Sequence, residues 1–348
     1  MRRVIKVGAV LAAGALVLTA CGGSDGDSDA GSSSPATSDI KVGMAYDIGG
    51  RGDQSFNDSA ALGLDEAKKE FGVETKELEA STGETDAQKA ERLRLLASGG
   101  YNPIIAVGFA YAKSVGQVSK EFPDINFAII DDSSADSAGP NVAQLVFAEN
   151  EGSFLVGTVA AQASKTGNIG FVGGVNVPLI QKFLAGYQAG AKAVNPNIKV
   201  QVKYLTEPPD FTGFRDVAKG KTAAEGMFQQ GADVVYHAAG GSGSGVFTAA
   251  AAAGGLAIGV DSDQYLTAAA DVKDVIITSM LKRVDVAVFK TVEAAVDGKP
   301  LTGVVTFDLK ADGVGYALSN PAVKPYTAET DDYAKQIKDG SITVPTTP

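Results

Sequence analysis

From Ile40 onward, short apolar runs alternate with amphipathic stretches, and that rhythm permits few folds. Strands are predicted near 40–46, 73–78, 103–107, 126–131 and 142–147, with helices near 57–71, 85–98 and 110–121 between the first four. A β-α-β-α order demands a parallel sheet with helices on both faces and right-handed crossovers. After the stretch Glu149–Ala163 the pattern begins again. Strands near 168–173, 198–204, 233–237, 256–260 and 274–279 alternate with helices near 179–194, 214–230 and 244–254. The segment 282–296 carries Val and Ala at helical spacing and reads as a helix that Lys282 opens. Val304–Phe307 is a last apolar strand, followed by a mixed tail. The fold class is α/β: two doubly wound parallel-sheet lobes forming a clamshell around a ligand cleft. The first lobe is assigned 40–148 with about 280–305, the second 149–279 with about 306–348.

Sheets of this kind bind ligands beyond the carboxyl ends of their strands. The loops that emerge there are 47–57, 108–111 and 131–134 in the first series. In the second, Tyr236-His237 runs into AAGGSGSGV, and Gly259-Val260 into Asp261-Ser262-Asp263-Gln264. The richest is the first, within YDIGGRGDQSFNDSAALG over Tyr46–Gly63. It joins a strand to a helix, with Asp53 or Ser55 placed to cap that helix. Its side chains suit a flat polar molecule. Phe56 offers an aromatic face, Asn57 both donors and acceptors, and ionised Asp47 acceptors alone. The spacing fits equally a Phe56 that covers the core and an Asn57 that closes a turn.

Other chemistries find little support. The run Gly240-Gly241-Ser242-Gly243-Ser244-Gly245 lacks the G-K-[ST] ending of a phosphate loop, and no dinucleotide fingerprint follows the first strand. Close backbone approach to a neutral polar ligand is the better reading of those glycines. His237 is the only histidine and Cys21 the only cysteine, so neither a His/Cys metal site nor an internal disulfide is available. No nucleophile elbow is present. No cofactor, metal or catalytic residue is expected, and His237 reads as a structural residue at a strand end.

The N-terminus carries its own message. Arg2, Arg3 and Lys6 precede the apolar run Val7–Leu18, which ends in Leu18-Thr19-Ala20-Cys21. Residues 1–20 therefore read as a lipoprotein signal peptide, whose removal frees Cys21 to take the lipid. Residues 22–39, all small or acidic apart from one proline, make a flexible tether reaching roughly 23 Å. Without the signal, 30 basic residues less three leave 27 against 41 acidic, a formal charge of −14. A surface this acidic repels phosphates and argues against nucleic acid as a partner. The expected location is the extracytoplasmic face of the cell membrane, through the lipid anchor.

An ordered series of short motifs then spans the mature chain. Asp53-x-Ser55-Phe56-Asn57-x-x-Ala60-x-x-Gly63 leads, followed by Glu151-Gly152-Ser153-Phe154-Leu155, Gly170-Phe171-Val172-Gly173-Gly174 and Phe183-x-x-Gly186-Tyr187-x-x-Gly190. Phe214-x-Asp216-x-Ala218-Lys219-Gly220, Ala239-Gly240-Gly241-Ser242-Gly243-x-Gly245-Val246, Gly259-Val260-Asp261-x-Asp263-Gln264 and Thr278-Ser279-x-x-Lys282 complete it. In this series the chain resembles the basic membrane protein family, lipoprotein substrate-binding components of bacterial ABC importers. The resemblance implies a type I periplasmic-binding-protein fold, a nucleoside ligand, commonly a purine one, and permease subunits as partners, with the chain itself a monomer. It also implies roles. Phe56 and Phe183 would sandwich the base, one from each lobe, and Asp47 and Asn57 would bond its edge. Asp261 and Lys282 would hold the ribose hydroxyls, with Lys282 keeping Asp261 ionised, assisted by backbone near Gly240 and by Asp131. Two other functions use the same residues: a lipid-anchored ligand sensor, and a nucleoside hydrolase working through the cleft aspartates.

Overall fold

The computed structural model describes residues 39–81 and 83–348, so the signal segment, Cys21 and nearly all of the tether lie outside the described residues. Among the described residues no helix is long and apolar enough to cross a membrane. In chain order the elements are β1 (Lys41–Ala45), α1 (Phe56–Phe71), β2 (Glu74–Leu78), α2 (Asp86–Ser98), β3 (Ile104–Ala106), α3 (Ala112–Glu121), β4 (Phe127–Ile130) and β5 (Val142–Phe147). There follow α4 (Glu149–Ala163), β6 (Asn168–Val175), α5 (Pro178–Val194), β7 (Lys199–Thr206), α6 (Val217–Gln229), β8 (Val234–Ala238), α7 (Gly243–Ala253), β9 (Leu256–Asp261) and the short α8 (Gln264–Thr267). The chain ends with β10 (Ile276–Lys282), α9 (Val284–Val296), β11 (Gly303–Phe307), β12 (Val314–Tyr316) and α10 (Thr327–Lys338).

Two six-stranded sheets result. The first runs β11-β5-β4-β3-β1-β2 and is parallel throughout. The second runs β12-β10-β9-β8-β6-β7 and is parallel except for β12. Inner strands such as Phe127–Ile130 and Val234–Ala238 are buried along their whole length because helices cover both faces. In each sheet the strand order reverses beside the lobe's first strand, between β1 and β3 and between β6 and β8. That reversal opens the crevice in which such sheets hold ligands.

The chain passes between the sheets three times: after Phe147, after Lys282 and after Phe307. Glycines let the helices around these crossovers pack closely. A Cβ on Gly63 of α1 would stand 2.2 Å from the Asp285 carbonyl oxygen of α9. One on Gly186 of α5 would stand 2.0 Å from the Asn150 carbonyl of α4. Both obstacles are backbone and cannot swing aside, which is why the α1–α9 and α4–α5 contacts require glycine.

Three elements differ from the sequence expectation. Glu149–Ala163 is a helix that showed no amphipathic period, because nearly every residue in it is buried. Lys282 closes strand β10 rather than opening the next helix, which starts at Val284. The run Met280-Leu281-Lys282 pairs with the three-residue β12, and that partner lies too far along the chain for a local reading to find. The mixed tail holds β12 and the helix α10, whose Ile337 is buried.

Candidate ligand-binding site

The first βα turn is built around a carboxylate. Asp53 accepts hydrogen bonds from the backbone N–H groups of Ser55 (2.9 Å), Asn57 (2.9 Å) and Asp58 (3.1 Å) and from Asn57 Nδ2 (3.0 Å). The cap is therefore Asp53, and Ser55 makes no capping bond of its own. An anionic side chain here satisfies otherwise orphaned N–H groups and favours the helix dipole. It also orients Asn57, whose Oδ1 accepts from the Asp47 N–H at 3.1 Å. Asp47 is given room by Gly108, where a Cβ would lie 2.4 Å from Asp47 Oδ2.

Asp47, Phe56, Asn57, Asp131, Phe183, Gly240, Asp261 and Lys282 all line one cavity between the two sheets. Phe109 and Phe214, given no ligand role from sequence, line it too. Asp131 follows β4 and Asp261 ends β9; both have positive φ, 71° and 63°. Such a backbone is costly for a residue with a Cβ, and strain of this kind collects at binding sites.

Lys282 is the centre of charge. Its side chain is buried, with Nζ 2.6 Å from the Asp131 carboxylate and 3.4 Å from Glu149 Oε1. Glu149, buried at the start of α4, takes a second cation, Lys182, at 2.6 Å. The ammonium also faces three rings, with centroids at 5.0 Å for Phe56, 5.1 Å for Phe147 and 5.6 Å for Phe183. Burial disfavours the ammonium, but Asp131, Glu149 and Asp261 together outweigh it and hold its pKa above the usual lysine value.

This geometry corrects one expected pairing. Lys282 bonds Asp131 and Glu149, whereas Asp261 is hydrogen-bonded by Ser55 Oγ at 2.5 Å. Burial pushes Asp261 up to about 7, with the Lys282 charge only partly opposing it. Asp47 is likewise raised to about 7 by burial, and Asp131 is raised for the same reason against the pull of Lys282. The cavity is thus lined by carboxylates that lack full compensation, and a ligand rich in hydrogen-bond donors would supply it. Glu149 and Lys182 escaped the sequence reading, because only the fold brings α4 and α5 up to the end of β10. His237 lies buried within β8, with Nε2 3.0 Å from Gln264 Oε1, and burial lowers its pKa to about 4.

Residues 40–347 match the Bmp family, described as ABC transporter substrate-binding protein PnrA-like. The chain belongs to this family. Among relatives of this Bmp-family chain is the "ABC transporter nucleoside-binding protein BmpA" of Lactococcus lactis subsp. cremoris, 35% identical over 369 residues, covering 99% of each chain. An uncharacterized lipoprotein of Pyrococcus horikoshii is 37% identical over 287 residues, 80% of this chain and 68% of the relative. The crystal structure of ABC transporter system solute-binding proteins from Aeropyrum pernix superposes with a TM-score of 0.77 at 29% identity. It covers 88% of this chain and 93% of that one. The Bmp-family chain therefore has the two-lobed α/β fold of the solute-binding proteins of ABC systems. It is a substrate-binding protein and not an enzyme, which removes the hydrolase reading of the cleft aspartates.

Proposed function

We propose that the chain binds a nucleoside, with a purine base, between its lobes and delivers it to a membrane permease. The observation that carries this reading is the pairing of aromatic and acidic groups in one interlobe cavity. Phe56 comes from the first lobe and Phe183 from the second, so a flat base between them would touch both. Asp47 and Asn57 at one side offer acceptors and donors for its edge. Asp131, Asp261 and Lys282 at the strand ends offer them for the sugar. The nucleoside-binding relative adds support. Native mass spectrometry of the purified protein should reveal a co-purified nucleoside. Phe56→Ala and Phe183→Ala should each weaken its binding by about 1–3 kcal/mol, the scale of one stacking face. Calorimetry showing wild-type affinity in both variants would remove the sandwich.

The same proposal places the domain at the outer face of the membrane as a monomer on a lipid anchor, supported by the LTAC sequence ending at Cys21 and by the lipoprotein relative. A single acyl chain holds a protein only weakly, whereas a diacylglycerol thioether supplies two. Cys21→Ser should move the protein from the membrane fraction to the soluble fraction without changing ligand affinity. Persistence of the variant in the membrane fraction would refute lipidation at Cys21.

A further inference from the structure

Two segments from opposite lobes meet beside the ligand cavity, Asp53–Ser55 ahead of α1 and Asp261–Gln264 from the end of β9. Besides the Ser55–Asp261 bond, two hydrogen bonds cross from the second lobe to backbone oxygens of the first. Ser262 Oγ donates to the Ser55 carbonyl at 3.0 Å, and Gln264 Nε2 to the Gln54 carbonyl at 2.9 Å. Gln54 presents that carbonyl from a left-handed backbone, φ 54°, with its own N–H held by Asp58 Oδ2 at 2.9 Å. A non-glycine residue in this region is uncommon and needs its surroundings to hold it.

The Gln264 amide can point only one way. Its Oε1 accepts from the Val260 N–H at 2.8 Å and meets His237 Nε2 at 3.0 Å. A carbonyl oxygen only accepts, so Nε2 of the neutral ring carries the proton. With Oε1 pinned by two donors inside the second lobe, the amide NH2 is left facing the first. The missing Cβ of Gly259 leaves room for this, since one there would lie 2.7 Å from Gln264 Oε1. Gln264 is itself buried and does not line the ligand cavity.

We propose that Gln264, oriented by His237, latches the lobes together and favours the closed clamshell before any ligand enters. The bonds to Gln54 and Ser55 exist only when the lobes meet, so they shift the open–closed balance by their differential contribution. The inference stands apart from the identity of the ligand. It also gives the lone histidine a task as a positioning residue.

The test uses protein freed of any co-purified ligand by unfolding and refolding. In a Cys21→Ser background, spin labels on cysteines replacing Lys113 at the start of α3 and Lys219 near the start of α6 report the interlobe distance. The starting protein should show a predominant short distance. Gln264→Glu keeps the outline but sets a carboxylate against the Gln54 carbonyl. Ser262→Ala removes one crossing bond without touching His237, and so serves even if Gln264→Glu folds poorly. Each should lower the closed-to-open ratio, by about three- to tenfold for one hydrogen bond. His237→Gln, which retains a donor, should keep more of the short distance than His237→Leu. A starting protein that is open without ligand would overturn the latch. So would folded Gln264→Glu and Ser262→Ala variants with its unchanged distances.

Discussion

Lys282→Met is expected to cost the unliganded protein about 3–5 kcal/mol of stability, the loss that follows when one member of a buried ion pair is removed. Methionine fills much of the same space between Phe56, Phe147 and Phe183, so the loss comes from charge rather than from a cavity. Glu149 retains Lys182, whereas Asp131 loses its only ion pair among the described residues. Asp131 should answer by taking up a proton. A buried carboxyl with a raised folded-state pKa binds more protons than its unfolded counterpart, so stability falls as pH rises through that pKa. The variant should therefore be less handicapped near about pH 5 than near about pH 8. Adding Asp131→Asn should recover much of the loss at the higher pH, because the orphaned charge is gone. Urea unfolding of the three proteins decides the matter. A single variant as stable as wild type, or a double variant no better than the single, would mean that the Lys282–Asp131 pair does not carry the cluster.

The second large effect concerns affinity. Asp261→Ala should weaken nucleoside binding by roughly 2–5 kcal/mol, the range for truncating one side of a buried charged contact. A 2′,3′-dideoxynucleoside should lose much less, because it never offers the hydroxyls. Asp261 also receives the Ser55 hydroxyl and has a left-handed backbone, so alanine disturbs closure and conformation as well. Asp261→Asn is the companion variant, since asparagine tolerates positive φ and keeps an acceptor for Ser55. Calorimetry on each protein with each ligand separates the contributions. Equal losses for both ligands would assign Asp261 to closing the lobes rather than to holding the sugar.

Much of this architecture is legible because parallel strands buried on both faces announce themselves. IIAVG, FAII and VVY are apolar runs, and each leads into a loop of chemically informative residues. The β-α rhythm then puts those loops at one end of each sheet, which is how Asp47, Asp131 and Asp261 could be grouped before any coordinates. What the rhythm cannot carry is pairing across the chain. Lys282 adjoins Asp261 in the second sheet, yet its ammonium turns to Asp131 and Glu149, and that choice depends on how the crossovers bring the lobes together. Helix α4 was hidden by its burial, since a helix with no solvent face has no stripe to detect. Asp53 was visible as a cap candidate, but its hold on the Asn57 amide needed distances. Gln264 was visible as the end of a motif, but its role was not, because that role rests on a histidine in another strand and on a carbonyl in the other lobe.

The last strand of the first sheet is also the last to be made. The edge of β5, Val142–Phe147, pairs with Gly303–Phe307, so it stays open until almost the whole chain has left the ribosome. Ala143, Leu145 and Phe147 are buried in the finished protein, and an unpaired strand of this composition is a template for pairing with other chains. Contacts this distant along a chain also form slowly. During synthesis the exposed segment VAQLVF is thus a part of the polypeptide in need of shielding. A product cut short before Gly303 would carry that open edge permanently, and would aggregate rather than survive as a smaller working lobe.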